Sequence, residues 1–403
     1  MMNLKYYGLQ KKLETSALPS GFEGVHGAQA DVISDLAKSM GYTCTFDALG
    51  NLYCRKGMEC VAADGCDVDS QPATDGVFRT AGAGLAADGA YRTTDAGSAA
   101  GLMIAAAMDV KGFLTTHVWG DKVWFNPIGP LKADEIVDRP VRFENGMRGM
   151  IRHKHHAEGM EAEKKKDCRL EDLYILIDDG EEDMVSVGDA AVLDIDAKLL
   201  DDGKIQAAHA ENLAACMVIL EAMEALKDSQ AVRQVTFVFL AQYWSGRMGI
   251  RAAVQNVQPH TCLLCGTSEA LDNRDSRVEP KDAANPKGAA ALQDAADPKD
   301  AADPEHPVDL VLGGGPAIRF REKLQASDEQ TCKTLIAAAD AAGVTWQGEA
   351  RNREQSGALE AMVSGSRIGV CYLGVPVRDR GTVKAVYCLK DVEDCVKVLM
   401  KFI

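Results

Sequence analysis

The chain has 403 residues, 46% of them hydrophobic, and a formal net charge of -16. That length suits two domains better than one core, and the apolar share excludes global disorder. The acidic balance argues against nucleic acid and anionic membranes as partners, since both select basic surfaces. Residues 1–16 have no apolar stretch followed by small residues, so no secretory signal is expected. No apolar run reaches the ~18 residues of a membrane span. The expected location is cytoplasmic, with the 12 scattered cysteines acting mainly as small buried thiols.

Residues 26–41 have helical spacing and end at Gly41. Residues 42–54 read as two short strands around an Ala-Leu-Gly-Asn turn. About 56–98, the composition shifts to Gly, Ala, Asp and Thr, as in a surface insertion. Residues 101–106 suit a central strand. Short β-like runs without a long helical pattern fill 115–198, the expected extent of an inserted all-β module. An α/β pattern then resumes. It comprises an amphipathic helix at 210–227, a strand at 234–241, a helix at 249–257 and a strand at 261–265. A helix at 327–343, a strand at 368–375 and a helix at 391–402 complete it. About 274–308, repeated DAA and proline mark a second low-complexity insertion. The fold class is therefore α/β: a mostly parallel central sheet flanked by helices, with a small all-β domain inserted.

The motifs and their order resemble the glutamyl aminopeptidase or deblocking aminopeptidase (TET-type) family of cocatalytic metallopeptidases. The residues carrying the resemblance are Pro19-Ser20-Gly21-Phe22-Glu23, Asp47-Ala48-Leu49-Gly50-Asn51-Leu52 and Phe125-Asn126-Pro127-Ile128-Gly129. Val187-Gly188-Asp189, Leu312-Gly313-Gly314-Gly315-Pro316 and Gly374-Val375-Pro376-Val377-Arg378 continue the series. The resemblance implies a zinc-aminopeptidase-like domain over 1–114 and 199–403. It also implies a PDZ-like dimerisation domain over 115–198.

The family's chemistry uses two divalent metals (zinc, cobalt or manganese) to polarise the scissile carbonyl and to generate hydroxide, with a Glu as general base. Carried over position by position, its side chains are largely missing here. The first ligand His falls on Ala107, and the Asp that orients it on Asp109. The bridging Asp falls on Glu211, the general base on Tyr243 and the next ligand on Trp244. A further ligand Asp falls on Gly266, or on Cys265 one residue earlier, and the last ligand His on Gly381. Only Glu211 retains a side chain that ligates metal, and a Tyr is a poor general base with a reference pKa of about 10.

The expected function is therefore that of a degenerate aminopeptidase, with no metal or other cofactor bound. Its role would be structural, regulatory or peptide-binding, as a homo-oligomer (dimer or larger) or co-assembled with an active paralogue. The alternative is an active hydrolase whose metal is held at Glu211 by groups such as Asp109, Glu360 or Cys265. His209, Glu211, Tyr243 and Trp244 would line any residual cleft. Of the remaining candidates, Cys262-Leu-Leu-Cys265 reads as a buried strand, lacking the other ligands of a zinc site. His153, His155 and His156 read as a solvated turn, because neighbouring Arg152 and Lys154 repel cations.

Overall fold

A computed structural model describes residues 2–17, 27–56, 101–156, 159, 161, 165, 167–178, 180–229, 235–271, 310–351, 355–365 and 368–403. The two low-complexity stretches and Pro19–Glu23 lie essentially outside these residues.

The chain opens with α1 (Met2–Ser16) and α2 (Ala28–Ser39), the hairpin β1 (Thr43–Phe46) and β2 (Leu52–Arg55), and then β3 (Leu102–Ala107). Next come β4 (Gly112–Trp119), β5 (Lys122–Ile128), the one-turn helix α3 (Ala133–Ile136), β6 (Pro140–Phe143), β7 (Arg148–His153), β8 (Leu173–Leu176) and β9 (Ala190–Leu193). They are followed by β10 (Lys198–Leu199), β11 (Lys204–Gln206), α4 (Ala210–Leu226), β12 (Val235–Leu240), α5 (Met248–Val257) and β13 (Thr261–Ala270). The last elements are β14 (Ala317–Arg321), α6 (Glu329–Ala341), β15 (Gln347–Ala350), α7 (Ala358–Ser364), β16 (Gly369–Arg378), β17 (Val386–Cys388) and α8 (Leu389–Phe402).

The main sheet has the order β1-β2-β12-β3-β13-β16-β17-β11-β10, with β14 paired to β16 and β15 paired to β14. Its centre, β12-β3-β13-β16, is parallel, and antiparallel strands form its margins. Period-two alternation sends successive side chains to opposite helical layers. Ile104, Ala106, Phe237, Phe239 and Leu263 face the layer containing α1, α2, α4, α6 and α8. Met103, Ala105, Val238, Leu240 and Leu264 face α5 and α7. The expected α/β architecture is thus the one observed.

Several expectations need correction. The helix at 210–227 is not amphipathic: Leu213 through Leu220 are all buried, so α4 is a central helix covered on every side. The strand expected at 261–265 continues to Ala270, because Gly266 pairs in register with Gly374 instead of breaking the ladder. Helix α1 was absent from the sequence reading; its Tyr6 and Leu13 pack into the large core. In the inserted module, β4-β5-β8-β7-β6-β9 close into a barrel around Phe113, Val141, Phe143, Ile151 and Ile175. Its first strand starts at Gly112, five residues after β3 ends at Ala107. No helix of the described residues is long and apolar enough to cross a membrane.

Candidate functional site

The ends of the parallel strands β3, β12, β13 and β16 open on one side of the sheet, where α/β folds concentrate their ligand sites. Ala107 ends β3, and Tyr243 and Trp244 follow β12. Gly266 lies in β13, Gly381 follows β16, and Glu211 opens α4 beneath them. Ala107, Glu211, Tyr243, Gly266, Tyr372 and Arg380 help to line one cavity of about 20 Å3. That is room for about one water molecule.

The backbone at this site is held from two sides. Asp47 fixes the turn after β1: its Oδ1 accepts the N–H groups of Leu49 and Asn51 at 2.9 and 3.0 Å. Asn51, fully buried, accepts the N–H of Ala241 at 2.9 Å and donates to the carbonyl of Gly249 at 3.0 Å. It thereby clamps both ends of the 241–249 loop. Asp109 clamps the middle, its Oδ2 accepting the N–H groups of Tyr243 and Trp244 at 2.9 and 3.4 Å. Its own carbonyl accepts Asn212 Nδ2 at 2.5 Å. With Ala107 where the resemblance puts a histidine, Asp109 holds this loop instead.

Glu211 is the centre of the site's electrostatics. Its Oε2 lies 2.6 Å from Lys111 Nζ, and its Oε1 lies 3.1 Å from Arg380 Nη1. Both carboxylate oxygens of Glu211 are thus engaged by side-chain cations. Lys111 also sits 4.9 Å from the Trp244 ring, in cation–π range. Arg247 lies over Tyr243 at 5.4 Å and pairs with Glu360 at 3.7 Å.

The room that ligand side chains would need is also taken. A Cβ on Gly266 would meet Tyr372 Oη at 2.1 Å, and that phenol donates to the carbonyl of Thr267 at 2.9 Å. A Cβ on Gly381, whose φ is +84°, would meet Lys111 Nζ at 2.9 Å. The Tyr372 ring fills the space at Gly266, whereas at Gly381 the positive φ itself favours glycine.

Tyr243 and Trp244 are half-buried, with rings edge-to-face at 4.9 Å. Tyr243 donates to the carbonyl of Gln355 at 3.1 Å. Burial holds its phenol above the ordinary value, against the opposing pull of Arg247 and Arg380. His209 is buried, and its Nε2 donates to the carbonyl of Leu193 at 3.1 Å, tying the start of α4 to the barrel. Burial pushes its pKa down to about 4, so the ring is neutral at pH 7.

The remaining candidates lie apart from this cleft or face away from one another. Cys262 and Cys265 are three residues apart on β13 and point into opposite layers, a geometry that prevents joint chelation. His153 is buried at the end of β7 with Asp172 3.9 Å away, so it is not part of a solvated turn. Among the described residues, no group of three or more His, Cys, Asp or Glu side chains is disposed to hold a metal ion. The donor set at the cleft does not fit a two-metal centre: one carboxylate faces an ammonium and a guanidinium. Lys111 and Arg380 had no role in the sequence reading. The signal available was a basic residue close to each of two positions, Ala107 and Gly381, onto which the resemblance carries ligands.

The profile of the M42 glutamyl aminopeptidase family matches residues 89–290 and 281–398. A putative aminopeptidase of Acetivibrio thermocellus is 24% identical over 310 residues, covering 75% of this chain and 82% of that protein. Among solved structures, an aminopeptidase of the archaeon Desulfurococcus kamchatkensis superposes with a TM-score of 0.72 at 20% identity, over 100% of this chain and 95% of that one. The TET1 peptidase of Pyrococcus horikoshii, which can assemble into a tetrahedron or a large octahedral shell, superposes with a TM-score of 0.69 at 18% identity, over 98% of both chains. On this profile match, and with the same fold, the chain belongs to the M42 glutamyl aminopeptidase family.

Proposed function

We propose that this chain is a catalytically degenerate member of its family, in which side-chain cations have replaced the two metals. The observation that carries this reading is Glu211 held between Lys111 at 2.6 Å and Arg380 at 3.1 Å. A divalent ion about 4 Å from one of these cations would meet a repulsion of about 8 kcal/mol at an effective dielectric constant of ~20. Lys111 and Arg380 together double that repulsion, which one carboxylate at a similar distance does not offset, and Ala107, Trp244, Gly266 and Gly381 bring no ligating side chain. Tyr243 is no replacement for a general base, because burial raises its pKa and keeps the phenol protonated at neutral pH.

The role is then exerted through assembly, as a homo-oligomer or together with an active paralogue. The shells formed by the Pyrococcus horikoshii TET1 peptidase support this reading by analogy. The test is a hydrolysis assay on aminoacyl and short-peptide substrates, with zinc, cobalt or manganese each supplied in excess. No release above the buffer control is expected. Turnover that follows the purified chain and is abolished by a chelator would refute the proposal.

A further inference from the structure

Outside the cleft, two pairs of thiols approach each other. Cys332 and Cys371 lie 3.1 Å apart, sulfur to sulfur, with both residues buried. Cys44 and Cys54 lie 3.6 Å apart, and here Cys44 is partly exposed on β1, the outermost strand of the main sheet. The hairpin register sets Cys44 directly opposite Cys54. Opposed residues of an antiparallel pair have Cα atoms about 4.5 or 5.5 Å apart, and both spacings fall within the range that a disulfide spans.

From this juxtaposition we propose that Cys44 and Cys54 form an oxidative modification site, closing to a disulfide when the protein meets a peroxide. Cys44 is the attacking sulfur. It has solvent access, and its thiol is held below the ordinary value, first by the hydrogen bond from Cys54 and with a contribution from Lys38. The hydrogen bond with Cys44, followed by burial, raises the Cys54 thiol instead.

The Cys44 thiolate attacks one peroxide oxygen, the O–O bond breaks, and the departing hydroxide takes up the thiol proton as water. The Cys54 sulfur then displaces hydroxide from the Cys44 sulfenic acid. The S–S bond forms, the S–O bond breaks, and the Cys54 proton leaves with a second water. Two thiols are oxidised and one peroxide is reduced. The same hairpin ends in the Asp47–Asn51 turn that clamps the 241–249 loop. The crosslink would therefore fasten the strand pair on which that clamp stands.

Trypsin cleaves after Lys38 and Arg55, leaving both cysteines on the peptide 39–55. Reduced, desalted full-length protein is exposed to hydrogen peroxide, denatured in excess N-ethylmaleimide and digested. The peptide is expected to be lighter by two hydrogens and free of maleimide, and to take up maleimide at both cysteines after dithiothreitol. In Cys54→Ser, oxidation is expected to stop at a Cys44 sulfenic acid that dimedone traps. The wild-type measurement decides the proposal even if the variant does not fold. The proposal is overturned if both cysteines remain alkylated at a dose that fully oxidises added glutathione. It is likewise overturned if Cys44 proceeds to sulfinic acid without the two-hydrogen loss.

Discussion

The contact between Glu211 and its two cations turns a metal-family cleft into a self-contained ion network. Lys111, Arg380 and Glu211 are each less than one-fifth exposed at the side chain, so their pairing is only partly screened by solvent. Removing one partner leaves the other's charge inadequately matched, and this costs more than the pair itself contributes. We expect Lys111→Met to destabilise the fold by about 1–3 kcal/mol. Combined with Glu211→Gln, the loss should fall short of the sum of the single losses by about 1 kcal/mol or more. Denaturant unfolding of the two single variants and the double variant measures this coupling. Strict additivity would mean that the contact is incidental. Gly381 has a φ of +84°, a backbone conformation that favours glycine whatever the space around it.

The elements legible in the sequence are those whose apolar pattern is strong. Helix α2, the hairpin β1–β2, strand β12 and helix α5 lie within a few residues of where periodicity and turn signals put them. Helix α4 was found but misjudged, because a nearly continuous apolar run fits a fully buried helix better than a one-faced one. Strands β14 and β15 were missed. β14 buries Arg319, whose guanidinium lies 2.8 Å from Glu349 of β15, and buried charge hides a strand from an apolar scan. Helix α1 was missed for a similar reason: much of its surface is polar, and only residues such as Tyr6 and Leu13 reach the core. At the cleft, the resemblance carries ligand positions onto Ala107, Glu211, Trp244, Gly266 and Gly381. What occupies them came only from tertiary contacts. Tyr372 lies over a hundred residues from Gly266, and no local pattern links Lys111 to Gly381.

Across the whole molecule, buried titratable groups tie the layers together with opposing pH signatures. Folded His209 has a pKa near 4 against 6.5 in its ordinary state. The unfolded chain therefore binds the extra proton, and stability from this group is lost as pH falls from about 6.5 through about 4, by up to about 3 kcal/mol. Glu14 bonds the N–H of Ala197 from α1 and is raised from 4.5 to about 7. Asp391 accepts the N–H groups of Gly313 and Gly315 and is raised from 3.8 to about 6. These two carboxyls act in the opposite sense: the folded state holds protons that the unfolded chain releases, so their contribution declines as pH rises from about 4 towards 7. With two carboxyls set against one histidine, the net contribution of these three groups should decline as pH rises from about 5 to 6. His209→Gln isolates the histidine, and the stability difference between wild type and variant should shrink as pH falls from 7 to 4. A difference independent of pH would mean that His209 titrates normally in the folded chain.

At the same scale stands the claim that side-chain cations occupy the place of the family's metals. Elemental analysis of the purified chain tests it most directly, after incubation with excess zinc, cobalt or manganese and thorough desalting. We expect no metal retained in stoichiometric amount. Two metals retained per chain would contradict the account, and with it the assignment of Glu211, Lys111 and Arg380 to a metal-free network.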